Sequence, residues 1–87
     1  MDATTRNAIF EAAAKSTYWK RLNIGLRTEV SQDGYTYTVD VPSGDNPAQA
    51  LITYRAGYGG TEFLREIATW GQTMLIVDTA MGALRVH

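Results

Sequence analysis

The sequence predicts an α+β domain: a small antiparallel sheet with two helices packed on one face, in the order α-β-β-β-α-β-β. Three observations carry that reading. Residues 3–17 repeat their apolar positions with helical spacing. Residues 22–41 hold two runs that alternate apolar and polar residues about an Asp-Gly turn. A glycine-rich turn at 57–60 precedes a second helical stripe and a last pair of apolar runs.

The first helix can be capped by Asp2, Thr4 or Thr5, and Ala12-Ala13-Ala14 has high helix propensity. Ile9, Phe10 and Ala13 share one face, and Glu11 and Lys15 form a favourable i,i+4 pair. Continued to Trp19, this helix puts Lys20 and Arg21 at its C-terminus, where cations complement the dipole. Phe10, Ala14 and Tyr18 then lie on one line, with the aromatics closing the edge of a thin core.

In residues 22–30, Leu22, Ile24, Leu26, Thr28 and Val30 alternate with Asn23, Gly25, Arg27 and Glu29. That is a strand with one wet face. Asp33-Gly34 is a strong hairpin signal. After it, Tyr35, Tyr37, Val39 and Val41 alternate with Thr36, Thr38 and Asp40. A two-residue turn pairs Gln32 with Tyr35. The same register sets Val30 opposite Tyr37, Thr28 opposite Val39, Leu26 opposite Val41 and Arg27 opposite Asp40. Turn chemistry and face pattern thus agree, and the wet face gains a cross-strand ion pair.

Residues 42–47 form a loop by composition. Residues 48–56 suit either a short helix, from Pro47 to Gly57, or a strand with Ala50, Ile52 and Tyr54 inward. The β-branched Ile52-Thr53 favours the strand, which widens the sheet to three. Thr61 then caps a helix with the stripe Phe63, Leu64, Ile67, Ala68 and Trp70, ended by Gly71. A turn at Met81-Gly82 folds residues 74–79 onto 83–87, setting Asp78 opposite Arg85.

An 87-residue chain is one domain, residues 1–87, and its core is thin. Hydrophobic residues make up 45%, too many for intrinsic disorder. With no cysteine, disulfides, thiolate metal sites and thiol nucleophiles are excluded. No apolar run is long enough to span a membrane, and no secretion signal is legible, so the expected compartment is the cytoplasm. Eight bases against nine acids give a net charge of −1, spread evenly between the halves. Nucleic-acid binders rely on a basic excess, which is missing here.

Catalytic candidates are few. His87 is the only histidine and the last residue. Glu62 and Glu66, at i,i+4 on the expected second helix, read as a solvated face. Gly57-Tyr58-Gly59-Gly60-Thr61 resembles phosphate-cradling loops in composition. It lacks the third glycine of dinucleotide motifs and the Gly-Lys-Ser/Thr of the P-loop. Glu62 would also repel an anion there. No enzyme, metal or cofactor is expected.

The α-β-β-β-α order over residues 3–71, with a glycine turn before the second helix, resembles the double-stranded-RNA-binding domain in topology. That family holds phosphates with lysines at the start of its second helix. Here those positions read Thr61-Glu62-Phe63-Leu64, and Ser31-Gln32-Asp33-Gly34 replaces its histidine-bearing loop. RNA binding is therefore not carried over by the resemblance.

What remains is the cluster Tyr18-Trp19-Lys20-Arg21, with Tyr35 and Tyr58 at turns. Trp, Tyr and Arg dominate interface energies. The expectation is a non-enzymatic protein-binding module that blocks a partner's surface. Small phage-encoded inhibitors such as anti-CRISPR proteins are a class-level analogy. Two alternatives stand beside it. One is a self-associating subunit (a homodimer) paired through the edge of the 74–87 hairpin. The other is weak nucleic-acid binding through Lys15, Lys20, Arg21 and Arg27.

Overall fold

The computed structural model of the chain describes residues 2–23, 25–42, 51–55 and 62–86. Helix α1 (Ala3–Ala14) leads into strands β1 (Lys20–Leu22), β2 (Gly25–Gln32), β3 (Tyr35–Pro42), β4 (Leu51–Arg55) and β5 (Glu62–Ile67), and helix α2 (Trp70–Val86) follows. The strands form one antiparallel meander in sequence order. The class is α+β, with two helices over one face of an antiparallel sheet.

The core follows from the alternation. Leu26, Thr28 and Val30 of β2, Tyr37, Val39 and Val41 of β3, and Ile52 of β4 are buried on one face. Ile9, Phe10 and Ala13 of α1 and Thr73, Ile76 and Ala80 of α2 are buried above them. Each large side chain so buried contributes roughly 1.5–3 kcal/mol of transfer free energy. Arg27, Glu29, Ser31, Thr36, Thr38 and Asp40 occupy the alternate positions, on the face away from the helices.

The β2–β3 hairpin has the expected register throughout, from Gln32↔Tyr35 to Leu26↔Val41, and Arg27 is paired with Asp40. Asp33 and Gly34 both have positive φ, 53° and 82°, as a tight turn that matches strand twist requires. Residues 51–55 are a strand, as the β-branched run indicates, with Ile52 fully buried against Val39.

Four expectations are corrected. Helix α1 stops at Ala14, with Lys15 as its C-cap, so Lys20 and Arg21 are not at a helix terminus. Ser16 ends it, because its hydroxyl bonds the backbone of Tyr18 and the side chain of Thr28 instead of a helical turn. The strand expected over 22–30 is two strands: Leu22 pairs with Gly25, so the chain reverses between them. Gly25 has φ 146°, a value side-chain-bearing residues rarely adopt.

The other two corrections fall in the second half. Residues 62–67, expected in a helix, form β5 on the edge of β4, so Glu62 and Glu66 are not helical neighbours. Residues 74–87, expected as a hairpin, lie within α2 through Val86, and Asp78 and Arg85 are seven residues apart on one helix. Thr69 decides both. Its Oγ1 accepts from the Gln72 N–H at 3.3 Å, and Gln72 Oε1 accepts from the Thr69 N–H at 3.0 Å. That reciprocal capping box starts a helix after Ala68 rather than before it. Thr73, Ile76, Ala80 and Ala83 then follow helical spacing onto the core. With five strands among the described residues before α2, the chain departs from the topology of the double-stranded-RNA-binding domain.

Candidate protein-binding surface

The segment from Ser16 to Trp19 carries the chain from the end of α1 to the edge of the sheet. Its geometry is fixed by hydroxyls. The Tyr18 carbonyl accepts from Thr28 Oγ1 at 2.7 Å and lies 3.1 Å from Ser16 Oγ. Ser16 Oγ and Thr28 Oγ1 are 2.6 Å apart. Two hydroxyl protons serve these three contacts: with Thr28 donating to the carbonyl, Ser16 donates to Thr28. Thr28 is buried, and this network satisfies its hydroxyl.

Pinned this way, Tyr18 projects outward and is 67% exposed. Trp19, next to it, turns the other way and is only 8% exposed, packed into the core cluster. Trp19 is therefore corrected from a partner anchor to a core residue. Its indole Nε1 is buried without a hydrogen-bond partner among the described residues. Lys20 and Arg21 are both exposed on β1, but successive strand residues point to opposite faces. Lys20 is registered with Arg27, on the open face of the sheet, and Arg21 with Leu26, on the helix side.

Tyr18 and Lys20 border a cleft of about 250 Å³ that is also lined by Ser16, Thr17, Arg27, Thr28 and Glu29. Arg27, one of the lining residues, is a fixed group. Its Nε donates to Asp40 Oδ1 at 2.6 Å and its terminal nitrogen to Asp40 Oδ2 at 3.0 Å. These bonds hold the guanidinium pKa above its ordinary value, against the opposing effect of burial. Strand β1 covers only Gly25–Arg27, so among the described residues β2 is paired with a strand on one side only from Thr28 to Gln32. The cleft thus opens onto an unpaired strand edge, the kind of backbone that can accept an added strand.

The remaining sequence candidates fall elsewhere. Tyr35 opens β3 opposite Gln32, five β2 residues from Arg27 and roughly 17 Å away along the strand. It does not join the Tyr18 corner. Tyr58, the Gly57–Gly60 turn, the Thr61 cap and His87 lie outside the described residues. Among the described residues no group of three His, Cys, Asp or Glu side chains could hold a metal ion.

A second surface was not legible in the sequence. On the outward side of α2, Trp70 and Leu75 are 66% and 61% exposed, and Met74 and Met81 somewhat under half. Leu75 also borders a groove of about 480 Å³ between α1 and α2, rimmed by Asn7, Glu11, Lys15 and Gln72. The signal was present as a 17-residue segment whose sequence carries only Asp78 and Arg85 as charges. The hairpin reading instead placed Met74 and Leu75 in a strand and Met81 in a turn.

No family model matches the chain, and neither a curated protein nor a solved structure matches it.

Proposed function

We propose that the chain is a non-enzymatic protein-binding module that works by occluding a partner's surface, in the manner of small phage-encoded inhibitors such as anti-CRISPR proteins. The observation that supports this reading is Tyr18. A large aromatic stands in solvent, yet its backbone is held by the Ser16–Thr28 hydroxyl network. An anchor whose backbone is already held loses less conformational freedom on binding than one on a mobile loop, and ordering is part of the cost of association. The cleft beside it offers Lys20 and Glu29 as rim charges and an unpaired β2 edge for a partner backbone.

Nucleic-acid binding is the weaker reading. Lys15 is engaged by Glu11 at 3.0 Å and Arg27 by Asp40, so two of the four cations it would need already serve carboxylates. The expected compartment remains the cytoplasm; no helix among the described residues is long and apolar enough to cross a membrane.

The test is affinity capture from the native host with the tagged chain and its Tyr18→Ala and Lys20→Glu variants in parallel. Support is one host protein that the parent chain retains, that both variants release, and whose activity falls when the parent chain is added. No specific protein retained, or a retained protein whose activity is unchanged, counts against the reading.

A further inference from the structure

We propose that the outward face of α2 is an interface between two copies of this chain, packed antiparallel about a twofold axis. A helix apolar on both its inward and outward sides is normally covered on both. Here Thr73, Ile76 and Ala80 face the core, while Trp70, Met74, Leu75 and Met81 face away from it in solvent.

The area fits a second copy. Taking about 200 Å² for a fully exposed large side chain, the four residues leave on the order of 400 Å² of apolar surface. A standard interface takes roughly 800 Å² from each partner, a little over half of it apolar. This patch alone comes close to that apolar share. The net charge of −1 places little repulsion between identical chains.

The shape fits as well. Gly71 and Gly82 are 11 residues apart, which is three turns, about 16 Å along the axis and within roughly 20° of one another around it. A Cβ built on either meets nothing within 4 Å, so both stand open on the surface of their own chain. Glycine inside a helix is unfavourable, and among the described residues nothing requires it here. About a twofold axis midway between them, Gly71 of one copy comes opposite Gly82 of the other, at both ends of the contact. Two shallow places thus coincide twice, letting the helices approach closely while Trp70, Met74, Leu75 and Met81 fill the flanks. Asp78 is the acid on this face, and near the axis it meets its own copy. It holds the association to a moderate strength.

This surface lies on α2, and none of its four apolar residues lines the Tyr18 cleft. A dimer formed this way leaves two Tyr18 clefts free, so the two proposals stand or fall separately.

The experiment is sedimentation velocity on the full chain from micromolar to millimolar concentration, with iodide quenching of tryptophan emission at both ends of the range. The expected result is a monomer–dimer equilibrium in which the quenchable fraction, due to Trp70, shrinks as dimer forms. Leu75→Glu is expected to weaken the dimer at least tenfold, roughly the effect of 1.4 kcal/mol. Asp78→Asn is expected to tighten it. Gly82→Ala gives the sharpest reading: it raises the melting temperature of the dilute monomer yet weakens the dimer. A strict monomer at millimolar concentration overturns the proposal and leaves the face to a different protein. A dimer indifferent to both Leu75→Glu and Gly82→Ala overturns it too.

Discussion

Arg27 and Asp40 face one another across β2 and β3, joined through two hydrogen bonds of 2.6 and 3.0 Å. The register that sets them opposite is the one the Asp33-Gly34 turn imposes six residues away. The pair is partly shielded, with side-chain exposures of 32% and 18%, so it is neither a weak surface contact nor a costly buried one. A double-mutant cycle with Arg27→Met and Asp40→Asn, read by urea denaturation, is expected to give a coupling of about 1 kcal/mol. Additive single effects would show that the two side chains do not act as a pair.

Glycines in this chain are expected to respond to alanine with opposite signs. Gly34 has φ 82° and open space around it, so Gly34→Ala meets no neighbour and costs only backbone strain, about 1 kcal/mol or slightly more. Gly71 lies in the first turn of α2 with equally open space, so Gly71→Ala is expected to stabilise the monomer, by less than the roughly 1 kcal/mol typical of a helix interior. Thermal melts of the two variants at low concentration check this. The same sign for both would contradict either the turn or the helix.

That contrast also explains which parts of the fold were legible in the sequence. The β2–β3 hairpin was, because its turn residues and its alternation are local and point to one register. Strand β4 was, because β-branched residues favour it on their own. The second half was not. Phe63, Leu64 and Ile67 satisfy a helical stripe about as well as a strand, and Ile76, Val77 and Thr79 have strand propensity inside what is a helix. The fold overrides both preferences, because the sheet needs cover on one face and α2 supplies it. The Thr69–Gln72 box was visible in the sequence, but it outweighs Gly71 as a helix stop only once the start of α2 is known. At the site, Tyr18 and Lys20, which the sequence offered as partner-binding candidates, are both exposed. Trp19 was misplaced because a residue's direction depends on whether its segment is helix or strand, and that turned on Ser16.

The capping box makes its own prediction. Thr69→Ala removes the acceptor for the Gln72 N–H and is expected to cost about 1 kcal/mol. Gln72→Ala removes the reciprocal bond and a further link at 2.9 Å, from its Nε2 to Asn7 Oδ1 on α1. Its loss is therefore expected to loosen the contact between the helices as well as the start of α2. Hydrogen exchange distinguishes the two: Thr69→Ala raises exchange in the first turn of α2 alone, whereas Gln72→Ala raises it there and around Asn7. Identical exchange maps would show that the link to Asn7 carries no weight.

The last prediction concerns acid. Asp2 caps α1, its carboxylate accepting from the Thr5 N–H at 2.8 Å, and this bond lowers its pKa below the ordinary value of 3.8. A carboxyl depressed on folding releases its proton more readily in the native state than in the unfolded one. Its contribution is then fully present above the unfolded value and is lost as pH falls from there through the folded one. Asp2→Asn keeps a capping oxygen but cannot titrate, so its melting temperature is expected to fall less steeply than the parent's as pH drops below 3.8. Asp2→Ala is expected to melt lower than both at neutral pH, and to converge on the parent in acid. Melting curves from neutral pH to about pH 2 make the comparison. A constant gap between parent and Asp2→Ala across that range would mean that the cap does not depend on the charge.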